Sequence, residues 1–197
     1  MPDDTSSEHY TERLRSRSDV WWKRLLNVQA PYRWNLRRLE PGFTLDVGCG
    51  IGRNLAHLDG HGIGVDHNPS AVAEARRRGA TAFTTDEFDR ESHARPFDSM
   101  LLAHLIEHMS HADAVGVVTK YLPLVMLGGK VIFICPQEAG YRSDSTHIEF
   151  VDFDAIGRVC RETGLTIEKQ YSFPLPRVAG KLFRYNEFVV LARKSSG

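Results

Sequence analysis

Short apolar stretches alternate along the chain with segments whose apolar residues recur at helical spacing. The apolar stretches predict seven strands, at residues 43–47, 62–65, 80–84, 97–103, 129–135, 165–171 and 187–192. The helical spacing predicts helices at about 8–27, 31–40, from 53 onward, and at 68–78, 110–125 and 152–163. Strands that alternate with helices are typical of a doubly wound, mostly parallel α/β sheet. No helix separates the last two strands, so we expect the last strand to run antiparallel.

The length of 197 residues suits one domain. We expect an N-terminal helical lid over residues 1–40 and a core over 43–192. In a doubly wound sheet, ligands bind beyond the carboxyl ends of the strands. The segments expected to carry function are therefore 48–53, 66–68, 86–88, 104–108 and 136–149. Four aromatic residues of the lid either cover the site or simply pack: Trp21, Trp22, Tyr32 and Trp34.

Charge and cysteine content narrow the class of protein. The chain has 25 Lys and Arg against 25 Asp and Glu, so its formal net charge is zero. A balanced chain has no strong long-range attraction for nucleic acid or for an anionic membrane. Three separate cysteines without a C-x-x-C pair argue against a disulfide framework or a structural zinc site. The polar N-terminus and the short apolar runs favour a cytoplasmic protein with no membrane partner.

A glycine-rich turn gives the strongest chemical signal. Residues 45–52 read L-D-V-G-C-G-I-G, a strand that enters a turn with a glycine at every second position. Such glycines allow backbone N–H groups to approach a ligand. Asp66 ends the next strand, where a carboxylate accepts hydrogen bonds from ribose hydroxyls. A dinucleotide site is the competing interpretation, but Arg53 stands where its third glycine belongs, and Asp46 suits an amino-bearing ligand better than a pyrophosphate.

These residues resemble a known family. D-V-G-C-G-I-G at 46–52, with G-V-D at 64–66 and N-P-S at 68–70, resembles motifs I and II of class I S-adenosylmethionine (SAM)-dependent methyltransferases. Residues 97–109, which end in H-L-I-E-H-M, resemble motif IV. L-G-G-K-V-I at 127–132 resembles the family's later glycine–strand segment, with Leu in place of the usual Pro. The resemblance extends over about 43–192 and implies a Rossmann-like methyltransferase fold, SAM as cofactor and an enzyme.

The resemblance also implies roles for single residues. Asp46 would orient the amino group of SAM, Asp66 would hold the ribose, and Asp86 would lie near the adenine. Phe88 would form a wall of the adenine site, and Arg33 is the candidate for the SAM carboxylate. The full implied cofactor-binding set is Arg33, Asp46, Gly48, Gly50, Asp66, His67, Asp86, Glu87, Phe88, Ala103 and His104.

The acceptor side is expected to carry polar, titratable residues. His104, Glu107 and His108 follow the fourth strand, and a helix there would place them on one face. His147 lies in the long polar loop after the fifth strand. Neutral imidazole can remove a hydroxyl proton near pH 7. We therefore take His147, His108 and Glu107 as catalytic candidates, with His147 as the general base and His104 and His108 as its rivals.

The same residues also suggest a metal site. His104, Glu107, His108 and His147 could hold Mg²⁺ or another divalent metal. H-x-x-E-H at 104–108 with T-H-I-E-F at 146–150 resembles the E-x-x-E-H…H arrangement of metal-dependent methyltransferases that act on small-RNA 3′ ends. It also resembles quinone-biosynthesis O-methyltransferases. A histidine in place of the first glutamate suits Mg²⁺ less well. The alternative is the family's ordinary helix opening, with His108 packed or capping.

The acceptor is the least determined feature. The chain resembles small actinobacterial sugar O-methyltransferases, in particular those of mycobacterial methylmannose polysaccharide synthesis, which implies methylation of a sugar or oligosaccharide hydroxyl, such as mannoside 1-O-methylation. An RNA 2′-O-methyltransferase, a quinone or catechol O-methyltransferase and a non-catalytic SAM-binding regulator remain alternatives. Nucleic acid is disfavoured because no basic groove is evident. The basic loop at 173–184 either touches the acceptor or is a solvated connection. A homodimer stays open, without a motif to support it.

Overall fold

A computed structural model describes residues 29–91 and 95–195 of the chain. Contacts divide the chain into two units, residues 1–93 and 94–197. The helix predicted over 8–27, with Trp21 and Trp22, lies outside the described residues. No helix among the described residues is long and apolar enough to cross a membrane.

The first unit holds three parallel strands in the order β3-β2-β1. The strands are β1 (Thr44–Val47), β2 (Gly62–Asp66) and β3 (Ala82–Thr84). The helices are α1 (Ala30–Arg38), α2 (Arg53–His57), α3 (Pro69–Arg77) and α4 (Thr85–Arg90). All four residues of β1 are buried. A central strand that is buried on both faces places the residues after it at the edge where ligands bind.

The second unit holds four strands in the order β4-β5-β7-β6. The strands are β4 (Phe97–Ala103), β5 (Val125–Pro136), β6 (Leu165–Phe173) and β7 (Glu187–Lys194). The helices are α5 (His111–Tyr121), α6 (Glu138–Tyr141) and α7 (Phe153–Glu162). Short 3₁₀ turns lie at Ile106–His108, Leu122–Leu124 and Arg177–Lys181. β4 and β5 are parallel, whereas β7 runs antiparallel to both of its neighbours.

The predicted fold class is confirmed. The described residues form a seven-stranded, mostly parallel α/β sheet in which the last strand is antiparallel. This is the Rossmann-like arrangement expected from the alternation of strands and helices.

The observed helices differ in detail from the predicted ones. The helix predicted to continue to about residue 125 ends at Tyr121 and passes into a 3₁₀ turn, because Pro123 lacks the backbone N–H that a continued α-helix requires. β5 consequently begins at Val125, four residues before the predicted strand. Helix α4 was not predicted. Thr84 and Glu87 start it with a capping box in which each side chain accepts a hydrogen bond from the other residue's backbone N–H.

Candidate functional site

The glycine-rich turn connects the carboxyl end of β1 to α2. Gly48, Gly50 and Gly52 have φ angles of 74°, 51° and 76°, in the left-handed region that favours glycine. The N–H groups of Gly48 and Cys49 donate to the carbonyl of Val65 over 2.8 and 3.1 Å. These bonds fold the turn back onto β2 and bring its backbone beside Asp66.

Asp66 is fixed at the end of β2 by two backbone donors. Its Oδ2 accepts from the Gly50 N–H over 2.8 Å, and its Oδ1 accepts from the Asn68 N–H over 2.9 Å. Each carboxylate oxygen has a further lone pair, and the side chain remains 10% exposed. Asp66 therefore keeps acceptor capacity for the predicted hydrogen bonds with the two ribose hydroxyls. His67 lies at the same edge, with Nδ1 3.4 Å from Asp66 Oδ1.

Asp46 is fully buried in β1. Neither of its carboxylate oxygens has a hydrogen-bond partner of good geometry among the described residues. Burial raises its pKa to about 7; the nearby Asn54 side chain opposes this rise, and the Asp66 carboxylate adds to it. A buried carboxylate without a partner is costly unless a ligand completes it. The residue therefore fits the ammonium group of SAM.

Glu87 and Phe88, two residues of the predicted cofactor-binding set, make contacts within the protein. Glu87 accepts from the Thr84 N–H over 2.8 Å and pairs with Arg76 over 2.6 Å. The Arg76 hydrogen bond is the main reason that the pKa of Glu87 falls to about 2. Asp86 is exposed on α4, whereas Phe88 is only 2% exposed and packs against Phe83 with 6.3 Å between ring centroids. Of the Asp86 and Glu87 carboxylates, the one on Asp86 is therefore more accessible to a ligand.

Arg33 lies on α1 and is half-buried. The pKa of the buried His57 falls to about 4, mainly because burial disfavours the imidazolium and further because of Arg53, Arg33 and Arg37. The guanidinium groups of Arg33, Arg37 and Arg53 therefore lie near His57. Arg53 also lowers the pKa of Asp46, which places its charge near the glycine-rich turn. Sequence reasoning used Arg53 only to reject a dinucleotide site.

His104 follows β4 and lies between two carboxylates. Its Nε2 is 2.9 Å from Glu187 Oε1, and its Nδ1 is 3.4 Å from Glu107 Oε1. Burial alone would lower its pKa, but Glu107 and Glu187 outweigh this and raise the pKa to about 9. An imidazolium with both nitrogens directed at carboxylates offers no lone pair to a metal or to a proton. The geometry therefore leaves His104 outside the group of candidate ligands. Ala103, the residue before it, is 7% exposed.

Glu107, His108 and His147 come together in the second unit. One ligand atom from each of the three lies within 4.8 Å of the other two. Residues 106–108 form a 3₁₀ turn instead of the helix that sequence spacing would require. The loop is tied to this turn because Ile148 and Glu149 donate their N–H groups to the Glu107 carbonyl, over 2.8 and 3.3 Å.

The two imidazoles of this group each direct Nδ1 at a backbone carbonyl. Nδ1 of His108 lies 3.1 Å from the Thr146 carbonyl, and Nδ1 of His147 lies 2.7 Å from the Tyr141 carbonyl. A carbonyl only accepts hydrogen bonds, so in the neutral form of each ring Nδ1 carries the proton and Nε2 keeps a lone pair. Burial lowers the pKa of His108 and favours its neutral form. His147 stacks on Tyr141, with ring centroids 5.3 Å apart and an angle of 18°.

The Glu107 carboxylate completes the group. It is 1% exposed, and neither oxygen makes a hydrogen bond of good geometry within the described part of the chain, although Oε1 lies 3.4 Å from Nδ1 of His104. The three residues thus offer two imidazole lone pairs and one buried carboxylate. Metal-binding histidines commonly donate their second ring N–H to a backbone carbonyl in this way. Glu187 and Thr146 were missed by sequence analysis.

A family model described as a methyltransferase domain matches residues 44–129. The match covers less than half of the chain. The matched region includes the glycine-rich turn, Asp66 and the Glu107–His108 turn. No curated protein matches the chain.

Several solved structures share the fold. A SAM-dependent methyltransferase from Thermotoga maritima has a TM-score of 0.68 and 17% identity, with 95% of this chain and 99% of that chain covered. A TehB-like SAM-dependent methyltransferase from Corynebacterium glutamicum has a TM-score of 0.65 and 16% identity, covering 96% and 100%. The magnesium protoporphyrin IX methyltransferase from Synechocystis, with bound SAM, has a TM-score of 0.63 and 13% identity, covering 98% and 95%.

At these identities the structural likeness establishes the fold. Together with the domain match, it supports the predicted enzyme class, a SAM-dependent methyltransferase, and SAM as its cofactor. The methyltransferases that share the fold differ in what they act on, so the acceptor has to be argued from this chain's own residues.

Proposed function

We propose that the protein is an O-methyltransferase that transfers the methyl group of SAM to a hydroxyl of a small polar acceptor, such as a sugar or oligosaccharide. The observation that carries the proposal is the Glu107–His108–His147 group. A hydroxyl is a weak nucleophile until its proton is removed. Two imidazoles whose neutral forms keep an Nε2 lone pair, beside a buried carboxylate, provide groups that can take that proton or hold a cation that acidifies it.

The residues of this group fit a divalent cation. Their donor set is two imidazole nitrogens and one carboxylate, with remaining positions for acceptor or water. The buried Glu107 carboxylate, which makes no hydrogen bond of good geometry among the described residues, is the observation that favours this fit. A bound cation would supply a Lewis acid that lowers the pKa of the acceptor hydroxyl. In that arrangement the backbone carbonyls of Tyr141 and Thr146 hold the two rings in place.

His147 acting alone as general base is the second candidate. Its Nδ1–H···O=C bond to Tyr141 fixes the tautomer in which Nε2 accepts a proton. The stacked Tyr141 ring restrains the imidazole further. Base and metal mechanisms use the same atoms but respond differently to chelation.

The polar character of the surrounding loop supports a hydroxylated acceptor. Residues 141–149 carry Tyr141, Arg142, Asp144, His147 and Glu149. These side chains can donate and accept hydrogen bonds with several hydroxyls. The formal net charge of zero disfavours RNA as acceptor. RNA 2′-hydroxyls and quinone or catechol hydroxyls are nevertheless included in the test.

The test is methyl transfer from isotopically labelled SAM to panels of mono- and oligosaccharides, catechols, quinone precursors and short RNAs. His147→Ala is expected to lower kcat at least about 100-fold, in the range of general acid–base catalysis. His111→Ala is the matched control, because His111 pairs with Glu162 away from this group and should keep full activity.

Chelation separates the two mechanisms. Loss of turnover in EDTA that Mn²⁺ or Mg²⁺ restores would establish the cation. Full turnover in EDTA, together with loss in His147→Ala, would establish the base. SAM binding without turnover on any acceptor, or full activity of His147→Ala, would overturn the proposal and favour a SAM-binding regulator in the first case.

A further inference from the structure

The loop between β6 and β7 turns large apolar side chains toward solvent. We call residues 175–185 the apolar loop. Leu182 is 91% exposed and Val178 is 75% exposed, which is far more than a packed connection requires. The exposed apolar side chains of this loop are Leu175, Val178, Leu182, Phe183 and Tyr185.

Polar contacts hold the base of the loop in place. Asn186 is fully buried; its Nδ2 donates to the carbonyls of Leu175 and Pro176 over 3.1 and 3.3 Å, and its Oδ1 accepts from the Leu175 N–H over 2.8 Å. Arg177 forms a bidentate pair with Glu138, with distances of 2.8 and 2.6 Å. The apolar side chains therefore project from a loop that is already fixed at its base.

The charges of the apolar loop have one sign. Residues 174–186 contain no Asp or Glu. Arg177 is neutralised by Glu138, whereas Lys181 and Arg184 are exposed on either side of Leu182 and Phe183. The result is a protruding apolar tip flanked by two cations. At physiological salt, charges act over about 8 Å, so this local excess matters although the chain as a whole is neutral.

We propose that the apolar loop docks on the surface of an anionic phospholipid bilayer. Protruding apolar side chains can enter the boundary between headgroups and acyl chains, while flanking Lys and Arg contact anionic headgroups. A second copy of the chain fits less well, because symmetric pairing of the loop would bring Lys181 and Arg184 against the same cations. The net charge of zero excludes a long-range attraction, so the contact is short-range and reversible.

The test is flotation of the full chain with vesicles of phosphatidylglycerol and phosphatidylcholine, against vesicles of phosphatidylcholine alone. No SAM or acceptor is needed, so failure here leaves the proposed methyl transfer untouched. Leu182→Ser is expected to weaken binding to the anionic vesicles about tenfold. Lys181→Ser should weaken it about fivefold, with a smaller effect at high salt. Leu127→Ser is the matched control, because Leu127 is an apolar residue of β5 that is also 65% exposed.

The possible results of the flotation experiment lead to different conclusions. Binding that depends on anionic lipid, is lost in Leu182→Ser and is kept in Leu127→Ser supports the proposal. No flotation with anionic vesicles, or an equal loss in Leu127→Ser, overturns it. Light scattering that shows a dimer which Leu182→Ser dissociates, without vesicle binding, would instead assign the loop to a second copy. Retention by an acidic protein but not by vesicles would also overturn it.

Discussion

Two buried carboxylates, Asp46 and Glu107, make no hydrogen bond of good geometry among the described residues, one in each unit. Glu107 does lie 3.4 Å from Nδ1 of His104. Isolated buried carboxylates are unfavourable, and a folded chain tolerates them mainly where a ligand or a second charge compensates. Each lies directly beside groups suited to one ligand: the glycine-rich turn for Asp46, and two oriented imidazoles for Glu107. The position of the costly residues therefore indicates where the two halves of the chemistry take place.

The Asp46→Asn variant tests whether the buried Asp46 carboxylate both lowers the stability of the fold and binds SAM. The pKa of Asp46 is about 7 in the folded chain against an ordinary 3.8. The unfolded chain therefore loses this proton first, and Asp46 lowers the free energy of unfolding as pH rises from about 4 to 7. The variant should gain stability over wild type across that window, on the order of 4 kcal/mol at pH 8, while SAM affinity falls sharply.

The measurement is urea unfolding of both proteins without SAM at pH 4, 5.5 and 8, with calorimetry for SAM binding. A stability difference that does not change with pH would contradict the raised pKa. Unchanged SAM affinity in Asp46→Asn would contradict the assignment of Asp46 to the amino group.

At the scale of elements, α4 depends on its first turn. The helix is only six residues long, and its N-terminus is held by the capping box of Thr84 and Glu87, with Arg76 also bound to Glu87. Thr84→Ala should lower the free energy of unfolding by about 1 kcal/mol. Thr84→Ser keeps the hydroxyl acceptor and should lie close to wild type. Chemical denaturation of the three proteins is the measurement, and equal stability of all three would remove the capping box as a source of stability.

Helix α4 also shows which structural features can be predicted from the sequence. Strands such as β4 are predicted at their observed ends because their large apolar residues are contiguous and flanked by polar ones. α4 was missed because it is short and polar, although T-x-x-E at 84–87 is a local signature that could have found it. A helix cap formed by local hydrogen bonds can thus be predicted from the sequence when its signature is searched for.

Contacts between distant segments set the limit of sequence reasoning. That His108 and His147 meet could be expected, because each follows one of two neighbouring parallel strands, β4 and β5. The pairing of His104 with Glu187 spans 83 residues and joins β4 to an antiparallel strand. No local sequence pattern predicts that His104 and Glu187 lie next to each other. The protonated state of His104, which separates it from the candidate metal ligands, depends on this contact and on Glu107, which together outweigh the effect of burial.

At the scale of the whole molecule, the two candidate sites belong to different units. The SAM-binding residues argued from the glycine-rich turn and Asp66 lie within residues 1–93, and the Glu107–His108–His147 group lies within residues 94–197. Each can therefore be removed by a substitution in its own unit. The neutral net charge means that neither site gains from a global field, so specificity must arise from local groups.

Crossed ligand stabilisation tests this division. A ligand that binds only the folded chain raises its stability by about 2.7 kcal/mol at 100 times its Kd, or roughly 5 to 10 °C in Tm for a chain of this size. In wild type, both SAM and Mn²⁺ should raise Tm in thermal unfolding. Asp66→Ala should lose the SAM shift and keep the Mn²⁺ shift, and Glu107→Gln should show the reverse. His111→Ala should keep both. A full SAM shift in Asp66→Ala would reject the ribose assignment, and a full Mn²⁺ shift in Glu107→Gln would reject the cation site, because in each case the removed carboxylate is the anionic group that the ligand requires.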